Sequence, residues 1–423
     1  MGGRYAKMTF LFRIALAATI LIFGSAGGFV RAGDNAAPTS APATSPDSVP
    51  STDSAGPPQA RSAQTPALSV RAAARQANRL AKSARTHFDA LARTSPPKFV
   101  LGTEPAKNVE GTLTQKITVP NATVDEWVLA AAEPTDLPGQ RHVEWSMDPS
   151  ARSVRERGNA ERPLLLARVP LKGTDDDRHE ITIHVTYRTE LMSRDLKPLD
   201  PEAKEMTVGP PGRAERAAAL AASDTIDFKT PDFQAWLDRE KLRPNPDETE
   251  MDFAARAFRW VRDSCKYEYT AAMDRSASHV CSSRTSDCGG LSALFVSTLR
   301  ANGIPARRLV GRWASSAKPG AKVGDVDYYQ QHVKAEFFAA GIGWVPADPA
   351  SAVLWDKSAD GLQYFGHDPG DFIAFHLDGD FLIDTIYFGK QTVQYLQGAA
   401  FWVKGTGTVE GYSVETQWDV KGR

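Results

Sequence analysis

Two periodicities divide the chain. From about residue 97 to 225, apolar residues recur at every second position, as in Leu113-Thr114-Gln115-Lys116-Ile117-Thr118-Val119 over its second half and in His179-Glu180-Ile181-Thr182-Ile183-His184-Val185-Thr186-Tyr187. Such alternation turns one face of a strand to a core and the other to solvent. Shorter apolar runs at 126–129 and 163–169 lie between them, and several short strands with turn signals point to a β-sandwich. After Thr249-Glu250-Met251-Asp252, which reads as a helix cap, the spacing changes: Phe253, Ala257, Trp260, Val261 and Cys265 form a helical stripe. A second stripe, Leu291, Leu294, Phe295 and Leu299, follows the capping residues Thr285, Ser286 and Asp287 and stops at Asn302-Gly303 before Pro305. Strand-like runs resume at 307–313 and 331–338; Ala339-Ala340-Gly341-Ile342-Gly343 turns the chain and 344–349 returns it, and alternation reappears between 372 and 420. The expected fold class is α+β: a β-sandwich-like domain at 97–230, then a domain at 231–423 in which a helix packs on an antiparallel sheet and further strands close the chain.

The N-terminal segments carry neither pattern. Residues 1–32 combine Arg4, Lys7 and Arg13 with an apolar run from Ile14 and end in Val30-Arg31-Ala32, which reads as an export signal. The run extends to about 17 residues, near the lower limit for a membrane span, so an uncleaved anchor is the second reading. Residues 33–67, rich in Ala, Pro, Ser and Thr, read as a disordered tether, and the Ala- and Arg-rich 68–96 as a helical lead-in whose alternative is a basic helix on a membrane surface. The expected location is the periplasm or cell envelope.

Composition narrows the class. The chain has 423 residues and a formal net charge of −1, without the basic excess of a nucleic-acid binder. Its three cysteines, Cys265, Cys281 and Cys288, are too few for a disulfide scaffold and fit no zinc spacing. Either Cys265 pairs with Cys281 and leaves Cys288 free, or all three are thiols. Asp175-Asp176-Asp177 reads as a solvated turn. The set His367, Asp368, Asp371, His376, Asp378 and Asp380 matches no ligand spacing and reads as a turn-rich loop, so neither metal nor cofactor is expected.

The candidate chemistry centres on Cys288. A thiol in the first turn of a helix meets unsatisfied N–H groups and the positive end of the dipole, both favouring thiolate. It needs a base, and the base needs an orienting group. If 331–348 is a hairpin centred on Ala340, His332 faces Asp348 directly, within reach of a carboxylate–imidazole hydrogen bond. An imidazolium–thiolate pair at neutral pH is then expected, with the Cys288 N–H helping to bind an oxyanion and a second donor to be found among Gln330, Gln331, Tyr267 and Tyr269. Asp287 opposes this, because a negative charge beside the thiol raises its pKa.

Four segments resemble the transglutaminase-like superfamily of papain-like thiol enzymes: Asp287-Cys288-Gly289-Gly290-Leu291, Gly303-Ile304-Pro305-Ala306-Arg307, His332-Val333-Lys334-Ala335-Glu336 and Gly343-Trp344-Val345-Pro346-Ala347-Asp348-Pro349. The resemblance covers roughly 250–350, and the β-rich flanks are similar in layout to bacterial secreted members. It implies a catalytic triad of Cys288, His332 and Asp348 and protein or peptide substrates, attacked through an acyl-enzyme that water or an amine resolves: a protease, deamidase or cross-linker. Gly289-Gly290 departs from the bulkier or acidic residues common there and suggests a looser helix start. The alternative is an inactive exported binding or assembly module on the same scaffold.

Overall fold

The computed structural model describes residues 70–94, 97–156, 162–171, 178–200, 208–324 and 326–422. The expected signal or anchor at 1–32, the tether at 33–67, residues 68, 69, 95 and 96 of the lead-in and the turn at Asp175-Asp176-Asp177 lie outside them.

The described residues open with helix α1 (Val70–Thr94). Six strands follow: β1 (Phe99–Thr118), β2 (Ala122–Ala132), β3 (Gln140–Asp148), β4 (Arg152–Arg155), β5 (Pro163–Pro170) and β6 (Glu180–Pro198). Helices then dominate, in the order α2 (Arg213–Ala218), α3 (Pro231–Arg239) and α4 (Glu250–Ser264), the last closed by a reciprocal cap between Thr249 and Asp252. A two-residue strand β7 (Lys266–Tyr267), helix α5 (Ala277–Ser283) and strand β8 (Thr285–Ser286) lead into α6 (Cys288–Ala301). Next come β9 (Ala306–Trp313), β10 (Lys322–Val323), β11 (Val326–Asp327), β12 (Gln331–Ala339), β13 (Gly343–Ala347) and α7 (Pro349–Trp355). The chain ends in β14 (His367–Asp368), β15 (Phe372–Leu377), β16 (Phe381–Asp384), β17 (Lys390–Val393), β18 (Ala400–Gly407) and β19 (Ser413–Gly422).

Two antiparallel sheets, ordered β14-β6-β1-β19 with β3 on β6, and β18-β2-β5-β4, share one apolar core. The alternation supplies that core: Leu113 and Ile117 of β1 and Ile183, Val185 and Tyr187 of β6 are buried, and Trp127 of β2 meets them fully enclosed. The expected division at residue 230 groups the C-terminal strands with the thiol helix. Strand β15 does stay with the thiol-bearing sheet through β9, but β19 pairs with β1, from Val109 with Gly422 through to Thr118 with Ser413, and β18 pairs with β2, Ala130 facing Ala400. The helical region and its sheet therefore stand between β6 and β18, strands of the two sandwich sheets.

That third sheet runs β13-β12-β9-β15 and is antiparallel. Helix α6 packs on it and all of its residues are buried, its polar Ser292, Thr298 and Arg300 hydrogen-bonded inside the fold. Two of its residues, Leu294 and Phe295, join Phe258, Phe337 and Phe365 in the core below the site. Helix α1 is docked rather than merely leading in: Ala77 and Phe88 are buried, and Phe88 packs 6.2 Å from Phe253. Among the described residues no helix is long and apolar enough to cross a membrane.

Candidate active site

Helix α6 begins at Cys288 because Asp287 caps it. Asp287 is extended (φ −88°, ψ −170°), and its Oδ1 accepts the Gly289 and Gly290 N–H groups at 3.0 and 3.2 Å. Its Oδ2 accepts Nε of Arg275 at 2.7 Å. The negative charge that counted against the thiol is thus matched by a cation. Neither glycine loosens the helix start, contrary to expectation. A Cβ on Gly290 would stand 2.0 Å from Ser286 Oγ and 3.0 Å from Val280 Cγ2, and one on Gly289 would meet the Tyr395 ring at 3.0 Å and Arg275 Cδ at 3.1 Å. The pair of glycines lets β8, α5 and the Arg275 side chain close on the helix.

The hairpin of β12 and β13 pairs Ala335 with Ala347, Phe337 with Val345 and Ala339 with Gly343. Its turn is centred on Gly341, at φ 77°, one residue beyond the expected centre. The register therefore moves by two, and Asp348 is not directly opposite His332. A shift of two keeps the same face, and Asp348 reaches back from the start of α7. His332 Nε2 lies 2.8 Å from Asp348 Oδ2, both residues being buried. Burial alone would raise the Asp348 pKa, but the His332 ring with its hydrogen bond, Lys334 and the Ser351 N–H hold the carboxyl below its ordinary value. An ionised carboxylate only accepts, so Nε2 carries the proton and Nδ1 of the neutral ring is the basic nitrogen.

Helix and hairpin meet at one residue, Val333. Strand β13 has ended at the level of Val333, and α6 takes its place. Ser292 Oγ donates to the Val333 carbonyl at 3.1 Å, and the Val333 N–H is directed at the Cys288 thiol. Positions 288 and 292 share a helix face, so one turn of α6 seats the thiol beside the residue that follows His332. Burial pushes the Cys288 thiol up, Asp287 adds to this, and Arg275 and the Val333 N–H pull it down. The net direction is upward, against the expected thiolate at rest: an enclosed site costs an anion more than the helix start returns.

Of the four residues considered as second oxyanion donors, Tyr267 is the one most influenced by the thiol: burial raises its hydroxyl pKa, and Cys288 raises it further. Tyr269 feels Cys288 more weakly. Gln331 precedes His332 in β12, so its side chain leaves the opposite face of the sheet. Gln330 is turned to the β9–β10 loop, where its Nε2 donates to Ser315 Oγ at 2.9 Å.

Sequence reasoning missed three supporting residues. Trp313 stacks on His332 with ring centroids 4.4 Å apart, above Gly311, the residue opposite His332 on β9. Ser351 donates its hydroxyl to Asp348 Oδ2 at 2.8 Å and its N–H to Oδ1 at 2.9 Å. Arg275 was not singled out at all. Only Ser351 had a local signal, the cap pattern Asp348-Pro349-x-Ser351 with proline in the first turn.

The other candidates are occupied elsewhere. Asp368 pairs with Arg194 and Lys334, Asp378 with Arg300, and Asp380 accepts Ser223 and Thr225 hydroxyls. Among the described residues no group of three His, Cys, Asp or Glu is placed to hold a metal ion. Cys265 and Cys281 are buried free thiols.

Residues 239–349 match the family model described as the transglutaminase-like superfamily. An uncharacterized protein of Haemophilus influenzae is 28% identical over 117 residues, which are 22% of this chain and 32% of that protein. The chain therefore spans about a third of that relative's length. Among solved structures, a "Putative Cysteine Protease" from Cytophaga hutchinsonii aligns over 77% of this chain and all of its own at 12% identity and TM-score 0.45. The periplasmic domain of TgpA from Pseudomonas aeruginosa aligns over 55% of this chain and 89% of its own at 16% identity and TM-score 0.27. These two structural likenesses, at such scores, carry no inference about this chain. The family match and the helix-on-sheet core around Cys288 agree, and residues 239–349 are a domain of the transglutaminase-like superfamily.

Proposed function

We propose that the chain is an exported thiol enzyme that acts on amide or peptide bonds of proteins, with Cys288, His332 and Asp348 as its catalytic residues. The observation that carries this reading is the bonded pair His332–Asp348 adjoining the strand peptide on which the Cys288 thiol rests. His332 Nδ1 takes the thiol proton as sulfur attacks the carbonyl carbon, and Asp348 stabilises the resulting imidazolium. The C–N bond breaks as the imidazolium protonates the leaving nitrogen, which leaves a thioester. Water or an amine, deprotonated by the same nitrogen, then attacks the thioester and expels the Cys288 sulfur. Export rests on the charged and apolar pattern of residues 1–32.

The test is labelling by a small thiol-directed electrophile, resolved by peptide mass. Cys288→Ala is expected to abolish the fast label, while Cys265→Ala and Cys281→Ala retain it; equal labelling of Cys288→Ala sinks the assignment. Incubation of the protein with envelope proteins then separates hydrolysis from amine transfer by product mass.

A further inference from the structure

Arg275 reaches the thiol site from the segment between β7 and α5. Its Nε and Nη2 both lie 2.7 Å from Asp287 Oδ2, with Asp287 2% exposed and Arg275 10% exposed at the side chain. Its Nη1 donates to the Met273 carbonyl at 3.3 Å, and its guanidinium lies 5.8 Å from the Tyr269 ring centroid and 6.0 Å from that of Tyr395. The side chain crosses the face of Gly289, where a Cβ would come within 3.1 Å of Arg275 Cδ. A buried carboxylate one residue from a nucleophilic sulfur is thus fixed on two sides, by helix amides and by this cation.

We propose that Arg275 is a positioning residue for the thiol, holding Asp287 in its capping geometry and cancelling the charge that Asp287 places beside Cys288. The inference deepens the thiol-enzyme reading and rests on it for its purpose. Without Arg275, the cap that starts the helix at Cys288 would carry an uncompensated anion next to the atom that has to ionise. The charged and titratable groups around the thiol are Asp287 at its own helix start, Arg275, Asp348 before α7 with the His332 ring bonded to it, Tyr267 and Tyr269 from the β7 segment, and Tyr328 before β12. Arg275 lowers the Cys288 thiol pKa, in the direction opposite to Asp287.

The experiment is the alkylation rate of Cys288 by iodoacetamide at fixed pH, read by peptide mass in the full chain, alongside the thermal midpoint. At a pH below the thiol pKa that rate follows the thiolate fraction. Arg275→Gln is expected to slow it by about tenfold, one pK unit. Asp287→Asn, which keeps a capping side chain, is expected to speed it by a similar factor. The double variant loses both charges and returns to within about threefold of the parent protein. Arg275→Lys keeps the cation and stays close to the parent, which provides a reading if Arg275→Gln does not fold. An unchanged rate in Arg275→Gln, or a double variant as slow as Arg275→Gln, overturns the proposal, as does Arg275→Lys behaving like a neutral substitution. None of these readings uses turnover, so a parent protein that alkylates as expected yet turns over no amide would fault the enzymatic reading and leave the role of Arg275 standing.

Discussion

Asp348 Oδ2 receives two hydrogen bonds, one from His332 Nε2 and one from the Ser351 hydroxyl, each at 2.8 Å. The orienting carboxylate is thereby itself oriented, and its second oxygen is held by the Ser351 N–H. Asp348→Asn retains an acceptor for the start of α7 but reverses the donor–acceptor match with the imidazole. Turnover of a peptide substrate is expected to fall on the order of 10²–10⁴ with a small change in thermal midpoint. Ser351→Ala, which removes one hydroxyl bond, is expected to lower turnover by about tenfold and stability by about 1 kcal/mol. Steady-state kinetics with calorimetry on the two variants checks both statements.

Gly290→Ala reverses the usual sign of a glycine-to-alanine change in a helix. Alanine is ordinarily favoured there by about 1 kcal/mol. Here its methyl would meet Ser286 Cβ at 2.8 Å and Val280 Cγ2 at 3.0 Å. A net loss of about 1–3 kcal/mol in denaturant unfolding is expected. Adding Ser286→Gly removes the nearest obstruction, and the double variant is expected to recover part of the loss.

Glu250 predicts a pH signature. Its carboxylate accepts the Ala340 N–H at 2.7 Å, and burial raises its pKa to about 6 from a model-peptide value of 4.5. A carboxyl group that binds its proton more tightly when folded stabilises the fold while protonated. Its contribution is present below pH 4.5 and is lost as pH rises through about 6. Glu250→Gln is expected to remove this decline, leaving the variant more stable than the parent by about 2 kcal/mol at pH 8. Unfolding midpoints between pH 4 and 8, with the difference flat across that range, would contradict this.

Arg194 of β6 lies fully buried between the sandwich and the thiol-bearing sheet, 2.8 Å from Glu336 of β12 and 3.2 Å from Asp368. Arg194→Met leaves two buried carboxylates short of a cation and is expected to cost about 3–5 kcal/mol. On the same strand, the part-exposed pair Arg188–Glu110 has a similar length, 2.7 Å, and Arg188→Met is expected to cost less than about 1 kcal/mol. Denaturant midpoints of the two variants measure the contrast.

What could be read from the sequence follows from the range of the interactions involved. Capping and periodicity are local, so the start of α6 at Cys288, its stop after Ala301 and the cap at Thr249 were accessible. The pairing of His332 with Asp348 was anticipated with a register two residues off. The turn centre depends on which residue takes positive φ, and Gly341 rather than Ala340 can do so at low cost. Trp313 over His332 and Arg275 on Asp287 are tertiary contacts between segments with no shared pattern, and no periodicity announces them. The thiolate expected at rest failed for a similar reason: a helix start is visible in the sequence, and the depth at which it is buried is not.

The return of β19 to β1 and of β18 to β2 means that the sandwich is closed by strands that follow their partners by about 300 residues. Contacts so distant along the chain make closure late and slow. Until then β1 and β2 each present an open edge, and an unfinished edge is a template for pairing with another chain. A ribosome-bound or C-terminally shortened molecule would hold every residue of the thiol site and still lack the strands that keep its sheets from joining those of its neighbours.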